Sequence, residues 1–592
     1  MRFSVLALDY DGTIAQNGAL DPDVRRAIME ARARGIIVLL VTGRILSDLM
    51  QAAGDLQFVD AVVAENGAVL AFPNGQSRLL SKSPPQVFLE ELRRQGIEFT
   101  AGQCILEADA TLGQRILEVI RYLELPLVLL FNRGRLMVLP QAISKATGLH
   151  EALRTLRLSS HNAIAVGDGE NDHDLLAACE LGVAVSWGSQ ALQKDADELI
   201  QGTGPSAVAA YIREAVQKMR LPPDRIGRRH LLLGTEQNGN PLKLALRGRN
   251  LLVTGDTGSG KSWATGLLCE QLILQGYCVW IIDPEGEYGG LRSLPGVMVL
   301  GGKKTPPPMQ DLVEAARYPD LSVVVDLSHL DHKEKLDYLN SLLPTLASLR
   351  RSTGLPHRIV VDEAHYFLHE PTVAKLLDLD LGAYILVTYR PSGLHASLQR
   401  AIEGVIAKRL TDPDELRALI RMFGNRNAES EWKSTLKSLT ASQAALLPGI
   451  EEAEGKLKRF EMQPRLTPHV RHRTKYFDVP MPEADGFLFT RNGEAVAGPA
   501  RTLKDFVWLL ASSSPEVLEG HARRGDFSRW IRNVLRDNLL AAIVAEVEHQ
   551  HQLGKIQDLQ SELANRIRER FDLPPQFCPP VTKGQTGDAL HP

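Results

Sequence analysis

Apolar positions along the chain fall into short runs separated by longer stretches with helical spacing. From Met1 to about Arg220, the runs Val5 to Leu8, Ile36 to Val41, Ala61 to Ala64 and Ala163 to Val166 read as buried strands with helices between them. That alternation predicts a parallel α/β sheet. Within it, about 79–140 reads as an inserted α/β cap, with helices over Val87 to Gln95 and Leu112 to Leu125, Pro126 as a breaker, and a strand over Leu127 to Phe131. Leu221-Pro222-Pro223-Asp224, followed by Arg225, Arg228 and Arg229, interrupts the rhythm and predicts a linker. A second α/β rhythm occupies 228–465. A polar, basic stretch (Pro468 to Lys475) then leads into a mainly helical part over 476–571. There Phe527, Trp530, Ile531, Val534, Leu535 and Leu539 recur at three- and four-residue steps and predict one apolar helix face, with Arg529, Arg532 and Arg536 on a stripe elsewhere. Residues 572–592 are rich in Pro and Gly and are expected to be disordered. The expected fold is α/β and multidomain: 1–220, 228–465 and a helical accessory domain at 476–571, with no internal repeat.

Composition narrows the classes. With 44% hydrophobic and 23% charged residues, the 592-residue chain has the make-up of folded domains, at roughly 150 residues each. Its 67 Lys plus Arg stand against 71 Asp plus Glu, a net charge of -4. That balance excludes a protein that coats nucleic acid over its whole surface, so DNA contact requires a local patch or an assembled channel. No apolar run approaches the roughly 18 to 20 residues of a membrane span, and the first run stops at Asp9 before it can serve as a signal core. A cytoplasmic protein with no membrane partner is expected. Cys104, Cys179, Cys269, Cys278 and Cys578 are too scattered for a disulfide framework or a zinc site.

The first strand runs into Asp9-Tyr10-Asp11-Gly12-Thr13, which sets two carboxylates two residues apart at a strand's carboxyl end, where α/β sheets gather their active sites. Two acids so placed divide labour: one attacks a phosphoryl group, the other shuttles a proton, and a magnesium ion offsets their repulsion. The next strand ends in Thr42-Gly43-Arg44, whose hydroxyl and backbone amide suit phosphate oxygens. Lys145, in Ile143-Ser144-Lys145-Ala146-Thr147, offers a compact cation. After Val166 comes Gly167-Asp168-Gly169-Glu170-Asn171-Asp172, richer in acid than a turn requires. In this order the four segments resemble the haloacid-dehalogenase (HAD) superfamily of phosphatases, in the Cof-like subgroup with an α/β cap between the second and third motifs. The resemblance covers about the first 215 residues and implies a Rossmann-like fold. It also implies roles: Asp9 as the nucleophile that forms an aspartyl-phosphate, Asp11 as general acid and base, and Thr42 and Lys145 as ligands of the phosphoryl group. Mg2+ would be held by Asp9, the backbone carbonyl of Asp11, Asp168 and Asp172. Small phosphorylated substrates are implied, since a closing cap obstructs a DNA duplex. Glu65-Asn66-Gly67 resembles the family's loop near the cap and is assigned no role.

Leu251 to Thr254 is an apolar strand that enters Gly255-Asp256-Thr257-Gly258-Ser259-Gly260-Lys261-Ser262 and then a helix over about Trp263 to Leu274. This is a phosphate-binding loop in its strand-loop-helix context: backbone amides wrap the phosphates of ATP, Lys261 reaches the β and γ phosphates, and Ser262 takes Mg2+. The strand Arg358 to Val361 ends in Asp362-Glu363-Ala364-His365, and an Asp that orders magnesium beside a Glu that polarises water is what ATP hydrolysis needs. A kinase keeps water from the γ phosphate, so Glu363 disfavours the nearest rival, a bifunctional polynucleotide kinase and phosphatase. Ile281-Ile282-Asp283-Pro284-Glu285-Gly286-Glu287-Tyr288, with Val387-Thr388-Tyr389-Arg390-Pro391-Ser392, resembles the HerA and FtsK superfamily of hexameric DNA-pumping ATPases, in its HerA-like branch, over about 228–465. That resemblance implies a RecA-like ATPase, a homo-hexameric ring and double-stranded DNA as a partner. Tyr389 stands where the family often has Gln. Arg390, Lys408 and Arg409 are candidates to reach ATP in their own or a neighbouring subunit.

Two readings stay open. In one, a ring-forming motor or switch on DNA is fused to a phosphatase; in the other, a small-molecule phosphatase carries a regulatory or assembly ATPase with no DNA role. His521 and Asp526 show no third ligand, so no metal site is expected in the helical part.

Overall fold

Eight strands form the N-terminal sheet of the computed structural model, which describes residues 2–132, 134–221, 229–245, 248–369, 376–423, 429–447, 457–468, 483–535 and 538–571. Residues 222–228 of the expected linker, with Arg225 and Arg228, lie outside the described residues. So do Arg471, Arg473, Lys475, Arg536 and the tail from 572 onward. Six strands of the sheet are parallel, in the order Glu198–Ile200, Leu181–Val185, Ala163–Gly167, Val5–Leu8, Ile37–Val41 and Ala61–Ala64. Val5–Leu8 is buried throughout, as an aliphatic strand covered on both faces must be. Its neighbours are Ala163–Gly167 and Ile37–Val41, so three adjacent carboxyl ends bring Asp9, Thr42 and Asp168 side by side.

Above these ends sits a second, antiparallel sheet in the order Leu127–Asn132, Arg135–Pro140, Leu106–Asp109, Thr100–Ala101, backed by helices Gln86–Arg94 and Gly113–Tyr122. The chain returns to the main sheet through helix Lys145–Leu156. Ser144 starts that helix in a reciprocal cap with Thr147, which places Lys145 at its first turn, buried and facing the acids. Gly148 of this helix packs against Gly67 so closely that a side chain at 148 would stand 2.5 Å from the Gly67 Cα.

An eleven-stranded sheet follows. Its parallel centre runs Gly404–Ala407, Leu251–Thr254, Tyr384–Thr388, Arg358–Val361, Val279–Asp283, Ser322–Asp326, Val297–Gly301. The helix after the phosphate-binding loop, Lys261–Leu274, is buried along most of its length. Its far end meets the N-terminal domain. There His161 bonds Glu180 through Nδ1 (2.8 Å) and the Gln275 carbonyl through Nε2 (2.9 Å), while the Tyr277 hydroxyl donates to Glu180 at 3.0 Å. His357 Nε2 lies 3.1 Å from Asn162 Oδ1, and burial holds the His357 imidazole well below its usual pKa. Arg229, at the end of the expected linker, donates to the carbonyls of Ala177, Ala178 and Cys179.

The C-terminal helices enclose their own core, with Phe487, Phe489, Phe506, Phe527 and Trp530 in mutual ring contact. The single amphipathic helix expected through Leu539 does not form. Helix Asp526–Trp530 passes into a π turn at Ile531–Leu535, and a new helix spans Asn538–Gln552. The new helix packs back against Asp526–Trp530, its Glu548 accepting the Phe527 N–H at 3.1 Å, so Phe527, Trp530 and Ile531 lie in the core while Val534 and Leu535 are only partly covered. His521 is a structural residue, bonded to Asp526 through Nδ1 and accepting from the Thr490 N–H through Nε2. Among the described residues no helix is long and apolar enough to cross a membrane.

Candidate active sites

Asp9 lies at the floor of a cleft of about 360 Å3 between the carboxyl ends of the strands and the cap. Lys145, 136 residues on, sets its Nζ 2.5 Å from Asp9 Oδ1 and 2.5 Å from Asp172 Oδ1. The other Asp172 oxygen accepts the backbone N–H groups of Asp168 (3.0 Å) and Gly169 (2.9 Å), and Asp168 accepts from the Thr13 hydroxyl at 3.0 Å. Gly12 has φ +82°, and a side chain there would come within 2.3 Å of Asp168 Oδ2, so the close pass of the Asp9–Thr13 loop requires glycine.

Burial, and then the Asp172 charge, push the Asp9 carboxyl well above the ordinary range, against the pull of Lys145. Burial alone would lower Lys145, but the Asp172 and Asp9 carboxylates outweigh it and raise the ammonium above the usual lysine value. Oxygens of Asp9, Asp168 and Asp172 lie within 4.8 Å of one another. Three carboxylates facing one ammonium leave excess negative charge in a buried, all-oxygen site, and that donor set fits a hard divalent cation such as Mg2+.

Thr42 is buried on the same cleft, its hydroxyl accepting from the Arg44 N–H at 3.1 Å. Asp11 stands at the mouth with 48% of its side chain exposed, and Arg44 donates to both its oxygens at 2.6 Å. From the cap, Glu107, Asn132, Arg135 and Met137 complete the lining. Glu65, in the loop to which the sequence assigned no role, is fully buried and accepts the backbone N–H groups of Gln103 (2.9 Å), Cys104 (2.7 Å) and Ile105 (3.2 Å), which ties the cap to the core. Arg44, Glu65 and the cap residues were not assigned from sequence. The turn signal at Asn66-Gly67 was visible, but partners 38 to 40 residues away were not.

The second constellation forms at the carboxyl ends of Leu251–Thr254, Arg358–Val361 and Val279–Asp283. Gly255, Gly258 and Gly260 have φ of +148°, +73° and +98°, the alternation that turns successive N–H groups inward. Asp256 fixes the loop by accepting from the Thr411 N–H (3.1 Å) and hydroxyl (2.8 Å). Thr257 and Ser259 complete the loop. Lys261 donates to the Asp256 carbonyl at 3.1 Å and lies 5.8 Å from the centre of the Tyr389 ring. Asp362 and Glu363 are fully buried, and Glu363 has φ +47°, a left-handed conformation that costs a non-glycine residue about 1–3 kcal/mol and clusters at working sites. His365 is 3.6 Å from the Glu363 carboxylate and 2.9 Å from the Thr388 hydroxyl. Ser262 donates its hydroxyl hydrogen to Glu287, an acid with no role assigned in the sequence analysis above.

Of the cations expected to reach ATP, Arg390 stacks over Tyr389 and bonds Asp485 of the C-terminal part at 3.3 Å. Lys408 is buried against the loop and donates to the carbonyls of Ala441 (2.7 Å) and Gln443 (2.6 Å); burial lowers its pKa to about 8. Arg409 is exposed.

Comparison with known proteins bears on both constellations. Residues 6–103 and 128–212 match the family described as haloacid dehalogenase-like hydrolase, and residues 233–365 match the central domain of helicase HerA. The chain is 28% identical over 237 residues to a phosphoglycolate phosphatase of Methanopyrus kandleri, covering 36% of this chain and 98% of that one. It is 24% identical over 237 residues to the 5-amino-6-(5-phospho-D-ribitylamino)uracil phosphatase YcsE of Bacillus subtilis, covering 36% and 95%. A solved haloacid dehalogenase-like hydrolase from Bacteroides thetaiotaomicron aligns at 18% identity with a TM-score of 0.32, over 36% of this chain and 99% of that one. The chain thus joins a haloacid dehalogenase-like hydrolase domain, which carries the Asp9 cleft, to a domain of the helicase HerA central type, which carries the phosphate-binding loop.

Proposed function

We propose that the N-terminal domain is a Mg2+-dependent phosphatase of small phosphate esters and that the central domain hydrolyses ATP, both in the cytoplasm. The carrying observation is the convergence of Asp9, Lys145, Asp168 and Asp172 at the floor of a small capped cleft. An Asp9 oxygen attacks phosphorus, and the bond to the leaving oxygen breaks as Asp11 donates a proton to it. Asp11 then takes a proton from water, whose oxygen attacks phosphorus and breaks the bond to Asp9, releasing phosphate and restoring both acids. Thr42 and Lys145 meet the phosphoryl oxygens where charge develops. Asp9, Asp168, Asp172 and the Asp11 backbone carbonyl would hold Mg2+, which when bound neutralises phosphoryl charge. Arg44 grips Asp11 with two N–H groups, and a phosphate that draws this guanidinium away frees Asp11 for proton transfer. The relatives named as phosphatases of phosphoglycolate and of a ribitylaminouracil phosphate make compact organic phosphates the substrate class to try. The test is phosphate release from an aryl phosphate with and without Mg2+. Asp9→Asn should lose activity by several orders of magnitude, and unaltered turnover in that variant overturns the assignment.

In the central domain Lys261 and the loop amides hold the phosphates, Ser262 and Asp362 serve Mg2+, and Glu363 polarises the attacking water. Action on double-stranded DNA as a hexameric ring is the reading the HerA match supports. Duplex affinity should then rise with ATP-bound oligomers and fall steeply with salt. Equal binding by monomers and oligomers, or none at low salt, favours the second reading, in which the ATPase regulates the phosphatase. The buried junction of His161, Glu180 and Tyr277, set at the far end of the helix that begins at Lys261, is the observation behind that alternative.

A further inference from the structure

The nucleotide site holds an acid that neither the loop pattern nor the Asp362-Glu363 pair accounts for. Glu287 lies on the turn after strand Val279–Asp283, is 7% exposed, and receives the hydrogen of the Ser262 hydroxyl. The turn is not loose. Asp283 accepts the N–H of Glu287 (3.0 Å) with one oxygen and that of Tyr288 (2.9 Å) with the other, which fixes the backbone that aims Glu287. The neighbouring acid, Glu285, faces elsewhere, with its carboxylate 3.7 Å from Lys335. Glu287 is therefore placed on Ser262 by a dedicated backbone anchor, at the hydroxyl that phosphate-binding loops offer to a nucleotide's divalent cation.

The chemistry gives this contact a purpose. A serine hydroxyl that lends a lone pair to a cation keeps its hydrogen, and a buried hydroxyl hydrogen needs an acceptor. A carboxylate is the strongest acceptor available, and its charge favours a cation nearby. We propose that Glu287 is a positioning residue for the divalent cation accompanying the nucleotide: it takes the Ser262 hydrogen, leaves the hydroxyl oxygen's lone pairs to the cation, and adds negative charge behind it. The inference rests on the nucleotide-binding reading of the central domain. It assigns Glu287 no direct contact with the reacting phosphate. Partners that orient a metal ligand in this way typically change metal affinity by about 10- to 100-fold when replaced.

The experiment is binding of a fluorescent ATP analogue to the full chain, in EDTA and across a Mg2+ series, with the nucleotide-free melting temperature as a check on folding. Glu287→Gln keeps the size and one carbonyl acceptor but loses the charge; Glu287→Ala loses both. Binding in EDTA should match wild type, while the Mg2+ concentration giving half of the affinity gain should rise about 10- to 100-fold in Glu287→Gln and further in Glu287→Ala. ATP turnover of Glu287→Gln should recover at high Mg2+, so that the metal requirement changes more than kcat. In a Ser262→Ala background the same Glu287→Gln change should have a clearly smaller effect than in wild type, because the hydrogen bond it weakens is already gone and only the charge is lost. An unshifted Mg2+ series, additive effects of the two substitutions, or equal losses in EDTA and in Mg2+ would each overturn the proposal. If wild type binds no nucleotide under any condition, the nucleotide reading itself falls and the inference falls with it. Mg2+-promoted binding in wild type with unaltered variants removes the inference alone.

Discussion

Glu65 is the perturbation that best separates cap docking from chemistry. Its carboxylate receives three backbone N–H groups of the cap, Gln103 on one oxygen and Cys104 and Ile105 on the other. Glu65→Gln keeps one acceptor oxygen and replaces the second by an NH2 group. Whichever way the amide turns, at least one cap N–H then faces a donor. An unsatisfied buried donor costs about 1–3 kcal/mol, and the remaining bonds lose their charge assistance, so the docked cap should weaken by about 3–5 kcal/mol. Since about 1.4 kcal/mol is tenfold, kcat/KM for an aryl phosphate should fall at least tenfold, with the ceiling set by how far docking exceeds opening in wild type. The cap should also become more sensitive to protease, while ATP binding stays unchanged, because among the described residues the side-chain bonds of Glu65 all go to the cap. The assay is steady-state phosphate release alongside limited proteolysis. A Glu65→Gln protein with kcat/KM within twofold of wild type and the same cleavage pattern would refute the reasoning.

Three further outcomes follow from the two sites. Lys145→Ala leaves Asp9 and Asp172 facing each other without their shared cation, so the metal-free protein should lose about 3–5 kcal/mol, and Mg2+ should raise the melting temperature more in this variant than in wild type. Lys261→Ala should remove nucleotide binding, whereas Glu363→Gln should keep binding and abolish hydrolysis, as equilibrium binding and ATPase assays will show. Lys408 has a folded pKa of about 8 against an ordinary 10.5, so between those values the unfolded chain binds more protons and stability rises with pH. Lys408→Met should flatten that rise in a series of denaturation curves from pH 8 to 10, and an unaltered slope would show that the lysine does not cause it.

Most of the candidate site residues are legible in the sequence because they follow a buried aliphatic strand, where the apolar run breaks into acid or glycine; Lys145, at the first turn of a helix, lacks that mark. Asp9, Thr42, Asp168, the 255–262 loop and Asp362-Glu363 all carry that mark, and the structure brings each set together. What sequence could not supply is pairing across long separations. Glu65 meets the cap, Glu287 meets Ser262 and His161 meets Gln275 through contacts that leave no local pattern. The cap shows the same limit: its short strands Thr100–Ala101 and Leu106–Asp109 are half exposed and too brief to alternate visibly, so only its helices and Leu127–Asn132 stood out. The apolar spacing from Phe527 to Leu539 also hides that helix Asn538–Gln552 packs back against Asp526–Trp530 rather than continuing it. The contacts of Lys408 are equally invisible in the sequence: it lies against the phosphate-binding loop and donates to the carbonyls of Ala441 and Gln443, more than thirty residues on.

The central claim is that one chain holds two separate hydrolytic centres, one on Asp9 and one on the 255–262 loop. Its most direct test is to measure, on the same preparations, Mg2+-dependent release of phosphate from an aryl phosphate and from ATP, for wild type, Asp9→Asn and Glu363→Gln. The account predicts that Asp9→Asn loses only aryl phosphate hydrolysis and Glu363→Gln loses only ATP hydrolysis. Loss of both activities from either single substitution, or of neither from both, would contradict it.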